Sequence, residues 1–137
     1  MSKYSRNVKD AELIVTKALP NGAAAVNSDS IDLEFVNTNG LFLAECELEV
    51  VAPALVVADL PDTKTMVYKV EDSADDSTFA TLYDAVITQT GAGGAGDDAE
   101  TVRVKLPEDV GRYVRVTATN SGAGDASDKS LTMQLVF

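Results

Sequence analysis

Histidine and tryptophan are missing from this 137-residue sequence, and cysteine occurs once. Without histidine there is no imidazole to activate a serine or cysteine nucleophile, to relay a proton near neutral pH or to ligate zinc. The lone Cys46 forbids an internal disulfide, and its place among alternating apolar residues marks it as a small buried hydrophobe. Aromatic residues are sparse, four Phe and four Tyr, so a groove built for stacking sugars is poorly supplied. Basic residues are outnumbered, 11 against 22 acidic, for a net charge of -11. That balance argues against nucleic acid and against an anionic membrane as partners, because both need a basic face. No apolar run approaches the ~20 residues that span a bilayer. The start, Met1-Ser-Lys-Tyr-Ser-Arg6, has no apolar stretch behind its charges and does not read as a secretory signal. Synthesis in the cytoplasm is the expectation. Together these features predict a protein that is not an enzyme and carries no cofactor.

What remains is a pattern of short alternating segments separated by small polar residues. A chain of this length, 45% apolar, reads as a single domain over residues 1–137; one of ~150 residues buries roughly 70% of its unfolded surface. Leu41–Val51 alternates strictly, with Phe42, Ala44, Cys46, Leu48 and Val50 on one face and Glu45, Glu47 and Glu49 on the other. That is a strand with one buried and one wet face. Three carboxylates in a row need cations beside them, and Lys64, Lys69, Arg103 and Lys105 are the candidates on neighbouring strands. Met66-Tyr68-Val70, Tyr83–Thr88, Val102-Val104-Leu106, Val114-Val116-Ala118 and Leu131-Met133-Leu135-Phe137 repeat the alternation. Ile31–Phe35 reads as a short strand, and Ile14-Val15-Thr16 pulls its segment toward an extended form. Prolines 53 and 61 bracket an apolar stretch that must be an edge strand or a buried crossover. The count is about eight strands, at the spacing of a sandwich or barrel. The expected fold is all-β, a jelly-roll-like sandwich with residues 1–28 as an extended N-terminal arm. The rival is an immunoglobulin-like sandwich, because Asp109-Val-Gly-Arg-Tyr113 has the spacing of a tyrosine corner.

Candidate chemistry is thin. Gly91-Ala-Gly-Gly-Ala-Gly96 has no Lys followed by Ser or Thr and precedes a strand, so it is neither a P-loop nor a dinucleotide fingerprint. Asp72, Asp75 and Asp76, then Asp97 and Asp98, then Asp125 and Asp128 offer oxygens in loops, but none fits a known calcium-loop spacing; no metal site is assigned. Charge is uneven. Residues 1–17 carry a net +2 and the remainder -13, which suits docking of a basic arm on an acidic neighbour.

Several segments carry a resemblance: Gln89-Thr-Gly-Ala-Gly-Gly-Ala-Gly96, Val102-Arg-Val-Lys-Leu-Pro107, Gly111-Arg-Tyr-Val-Arg-Val116, Ser121-Gly-Ala-Gly-Asp125 and a strand closing on Val136-Phe137. Residues 64–137 in particular resemble the small jelly-roll decoration, or cement, proteins of tailed-phage capsids. The resemblance implies a structural protein of the virion that binds the outer capsid surface. Its partners would be the major capsid protein and its own copies, as a homodimer or homotrimer. Tyr4, Arg6 and Lys9 of the arm are the expected capsid contacts. Arg112-Tyr-Val-Arg115 is also similar to a strand of discoidin-type sugar-binding jelly rolls, so a carbohydrate-binding module of an adhesin is the alternative. Another small head or tail subunit is the third reading.

Overall fold

In a computed structural model, the structure describes residues 9–34 and 46–136. Among the described residues, nine strands form two antiparallel sheets packed as a sandwich. They are β1 (Lys9–Ala18), β2 (Ala25–Asn27), β3 (Ile31–Asp32), β4 (Glu47–Ala52), β5 (Thr65–Ser73), β6 (Ala80–Thr90), β7 (Glu100–Lys105), β8 (Tyr113–Asn120) and β9 (Ser130–Val136). One sheet has the order β1-β9-β4-β7; the other has β2-β8-β5-β6, with β3 also on β8.

The pairing is nested. β1 pairs with β9, β2 and β3 with β8, β4 with β7, and β5 with β6. A long antiparallel hairpin folded over on itself produces this nesting, and two further pairings, β4 with β9 and β5 with β8, join the ladders into sheets. This is the jelly roll. The immunoglobulin-like alternative, with its sheets of strands ABED and CFG, is excluded by the strand order.

β2 and β3 act as one interrupted strand along β8. Asn27 stands opposite Thr117, and the Ser28 amide bonds to the Val116 carbonyl at 2.9 Å. Ile31 then stands opposite Val114. Asp29 and Ser30 therefore share the single partner position of Arg115, which is a β-bulge. Joining β2 and β3 gives the eight strands expected of the fold.

Alternation places the core as expected. Leu48, Val50, Met66, Tyr68, Val70, Val114, Val116, Leu131 and Met133 are fully buried between the sheets. Cys46 is buried, and burial pushes its thiol up to about 11. Tyr68 keeps its phenol satisfied by donating to Gln89 Oε1 at 2.9 Å, while Gln89 Nε2 donates to the carbonyls of Pro53 and Asp98. Of the stretch read as an arm, residues 9–18 and 25–27 are strands of the two sheets, because Leu13, Val15 and Val26 pack against the core. Residues 1–8 lie outside the described residues, as do Phe35, Phe42, Ala44, Glu45 and Phe137.

The Pro53–Pro61 stretch is the crossover of the two readings, buried at Leu55, Asp59 and Leu60 and exposed at Val56 and Val57. Leu55 and Leu60 anchor it in the core as it carries the chain from one sheet to the other. The tyrosine corner does not form among the described residues. Tyr113 opens β8 with its ring 5.3 Å from the Arg112 guanidinium. The glycine of that motif has another use: a Cβ on Gly111 would stand 2.6 Å from the Ser73 carbonyl oxygen, so Gly111 lets the chain pass close to β5.

Candidate functional site

The strand register sorts the connections to two ends of the sandwich. Residues 19–24, 53–64, 91–99 and 121–129 all emerge at one end. They are wired together by backbone. Gly22 N–H donates to the Gly124 carbonyl, Thr63 N–H to Gly91, and Leu55 and Asp97 exchange both bonds at 2.9 Å. Gly94 N–H donates to Asp62, and the Asn120 amide bridges the carbonyls of Asp59 and Gly124. Gly96 has φ +79, and a Cβ there would fall on the Leu55 carbonyl, so two loops touch at a place that only glycine permits. The glycine-rich loop Gly91–Gly96 is thus built into a cross-bonded cap. On this cap Val56 and Val57 are 53% and 43% exposed, amid small side chains.

The other feature is a cleft of about 410 Å³ lined by Ser28, Asp29, Ser30, Asp76, Phe79 and Arg115. It lies on the outer face of the sheet that contains β8. The β2–β3 bulge pushes Asp29 and Ser30 out to form one wall. The turn between β5 and β6 supplies Asp76 and Phe79, and the Ser30 hydroxyl donates to Asp76 across the gap. Asp76 is held at φ 59, a left-handed conformation that aspartate tolerates better than most residues.

Arg115 is fixed from two sides. Its guanidinium lies 3.8 Å from the Phe79 ring centroid, and its Nε donates to Glu71 Oε2 at 2.7 Å. Glu71 stands opposite Arg115 in the β5–β8 register and is buried. Lys69 reaches its other oxygen at 2.8 Å, and the Thr117 hydroxyl lies 3.1 Å from Oε2, the oxygen that Arg115 uses. Burial pushes the Glu71 carboxyl up, but the bonds from Lys69, Arg115 and Thr117 outweigh it and hold the group below the usual range.

Of the strand of glutamates, Glu49 is paired by one of the four cations named, and a second stands opposite Glu47; Glu45 lies outside the described residues. Arg103 and Lys105 stand opposite Glu49 and Glu47, and Arg103 Nε meets Glu49 Oε2 at 2.8 Å. Lys64 and Lys69 do not serve, because the chain crosses to the second sheet before reaching them. The aspartate loops close on their own backbone. Asp75 accepts the amides of Ser77 and Thr78 and the Ser73 hydroxyl; Asp125 accepts the amide and hydroxyl of Ser127; Asp97 accepts the amides of Thr90 and Asp98. No three His, Cys, Asp or Glu side chains gather as a metal site among the described residues. Of the expected capsid contacts, Tyr4 and Arg6 lie outside the described residues. Lys9 opens β1 opposite Val136, at the far end from the cap. Sequence reasoning missed the cleft. Its one legible trace was Asn27–Ser30, a polar break before an alternating strand.

No protein-family model matches this sequence, and no curated protein matches it. Among solved structures, the chain overlaps one described as "CBM4 structure and function" at 16% identity and TM-score 0.34, over 94% of this chain and 85% of that one. That overlap is too loose to support an argument. The chain is also similar to the PBSX exported protein XepA, at 15% identity over 96% of this chain with TM-score 0.53. It spans 37% of that protein's length. At this identity the likeness is one of fold: the chain is a β-sandwich similar to part of the PBSX exported protein XepA.

Proposed function

We propose that this protein is a non-enzymatic structural component of a tailed-phage virion, made in the host cytoplasm, that binds the outer capsid surface and cements the head. The observation that carries the reading is the cross-bonded cap. The loops Gln89–Gly96 and Ser121–Asp125, whose sequences resemble phage decoration proteins, both lie there. The first shares a backbone bond with the crossover loop at Thr63, and the second bonds to Gly22 and is tied to Asp59 of the crossover through the Asn120 amide. A surface already ordered by its own hydrogen bonds loses little conformational freedom on docking. Exposed Val56 and Val57 add apolar area at its tip, and small neighbours let a flat partner approach.

Cementing needs a second contact. Lys9, which follows the basic residues Lys3 and Arg6 in sequence, opens β1 at the end opposite the cap. Strand β1 is 10 residues long, so the two ends stand about 30 Å apart at the rise of an extended strand. A body of this span, gripping one capsid subunit by its cap and another by its basic segment, bridges a seam. Binding the expanded shell in preference to its precursor stabilises it by mass action, and repetition over the head multiplies weak contacts. Association with its own copies as a dimer or trimer multiplies them further.

The test is sedimentation of purified protein with undecorated capsids at micromolar concentration across a salt series. The protein is expected to pellet with the shells. The Val56→Asp/Val57→Asp variant is expected to stay in the supernatant while melting at an unchanged temperature. Wild-type protein that remains in the supernatant at every salt concentration overturns the reading.

A further inference from the structure

We infer that the cleft beside the β2–β3 bulge is a binding site for a neutral carbohydrate. The inference does not depend on attachment to a capsid.

The size is right for a small ligand, since clefts that hold one span ~300–1,000 Å³ and this one measures about 410 Å³. The lining combines an aromatic ring, a planar guanidinium, two carboxylates and serine hydroxyls. A sugar ring presents C–H faces to flat groups and hydroxyls at its edge that both donate and accept. The stacked pair of Phe79 and Arg115 provides the flat surface. Arg115 gives only its Nε to Glu71; among the described residues nothing accepts from its two terminal amino groups, which are left as donors. Asp29 on the bulge and the second oxygen of Asp76 on the facing turn are acceptors beside it.

Charge narrows the class. Glu71 is shared by Arg115 and Lys69, and with Asp29 and Asp76 the three acids outnumber these two cations, so an anionic ligand would meet a site whose net charge is already negative. A simple cation would meet the guanidinium. A neutral ligand that donates to the carboxylates and accepts from the guanidinium suits both.

The geometry is also prepared in advance. Ser28 Oγ accepts the Val116 amide at 3.0 Å and donates to the Asp29 carbonyl at 2.8 Å, which fixes the bulge on β8. The Ser30–Asp76 bond fixes the bulge to the facing turn. Bulges recur beside binding sites because they redirect side chains without breaking the sheet. Here an extra residue turns Asp29 and Ser30 outward beside Arg115.

The experiment is a glycan array of neutral and acidic bacterial, plant and animal glycans, probed with the whole chain. Titration calorimetry would follow with the oligosaccharide retained best. Binding to one or more neutral glycans is expected. Phe79→Ala and Asp29→Ala should each weaken it at least about tenfold, with melting temperatures close to wild type because neither side chain contributes to the core. Amide shifts in a titration of the unmodified protein should centre on residues 29, 30, 76, 79 and 115. That measurement locates the site even if a variant fails to fold. No binding on the array, binding confined to sulfated, phosphorylated or carboxylated glycans, shifts centred elsewhere, or wild-type affinity in both variants would each overturn the inference.

Discussion

Glu71 shows how one acidic residue becomes part of the structure. Its side chain is only 10% exposed, a position where an unpaired carboxylate would be costly. Three donors from its own strand and the next compensate it, Lys69, Arg115 and Thr117. The glycines are equally specific to position. Gly96→Ala drives a methyl group into the Leu55 carbonyl in a conformation alanine resists, so the loops must separate. Gly93 has φ +62 and open space around it, so Gly93→Ala meets only the backbone penalty of roughly 1–2 kcal/mol. Chemical denaturation should show the Gly96 variant losing clearly more stability than the Gly93 variant. Equal losses would mean that the contact at Leu55 is not holding the cap. Nothing in the run Gly91–Gly96 distinguishes these residues beforehand, because the approaching carbonyl comes from a loop about 40 residues earlier in the chain.

Among the elements, β1 and β9 are the informative pair. β1 lies at the edge of its sheet, half-buries Leu13 and Val15 against the core, and leaves Ile14 46% exposed. β9 lies between β1 and β4 and closes the nested ladders. Deleting residues 1–18 removes the edge strand and opens β9 to solvent, whereas deleting 1–8 removes only the basic segment before it. Circular dichroism melts should show the longer deletion strongly destabilised or aggregated and the shorter one near wild type. Capsid sedimentation should show the shorter one weakened in binding. Alternation made β4, β5, β8 and β9 legible, since each buries one face. β1 was harder, because an edge strand with half-buried residues looks like any extended arm. The bulge at Asp29–Ser30 was not legible, because an extra residue is extra only relative to a partner strand almost 90 positions away.

For the molecule as a whole, acid is the revealing variable. The Arg112 bond holds the Asp32 carboxyl low; the Thr78 amide, then that of Ser77, does so for Asp75; the Ser127 hydroxyl and amide do so for Asp125. Glu71 is lowered against its burial by Lys69, Arg115 and Thr117. Each folded pKa lies below its unfolded value, so between the two the unfolded chain binds more protons and stability rises with pH. The contribution of these groups is complete above the ordinary carboxylate range, ~pH 4–4.5. It is lost as pH falls through the folded values. Thermal melts from pH 7 to pH 2 should therefore hold until about pH 5 and decline below it. Glu71→Gln should melt lower than wild type at pH 7 and lose less on acidification. A parallel decline in both proteins would show that Glu71 does not contribute to the acid response.

What residue order decided alone was the class of fold and the inward face of most strands. Alternation with a period of two is a local property, and the cost of burying charge or exposing a row of apolar residues leaves little freedom. The missing histidine and the scarce cations likewise narrowed the chemistry before any folding. Tertiary structure alone decided that the strands nest as a jelly roll, that four loops lock into one cap, and that Arg115, Phe79 and Asp29 share a cleft. These depend on register between segments tens of residues apart, and register is set by the packing of the whole core, which no local stretch of sequence contains.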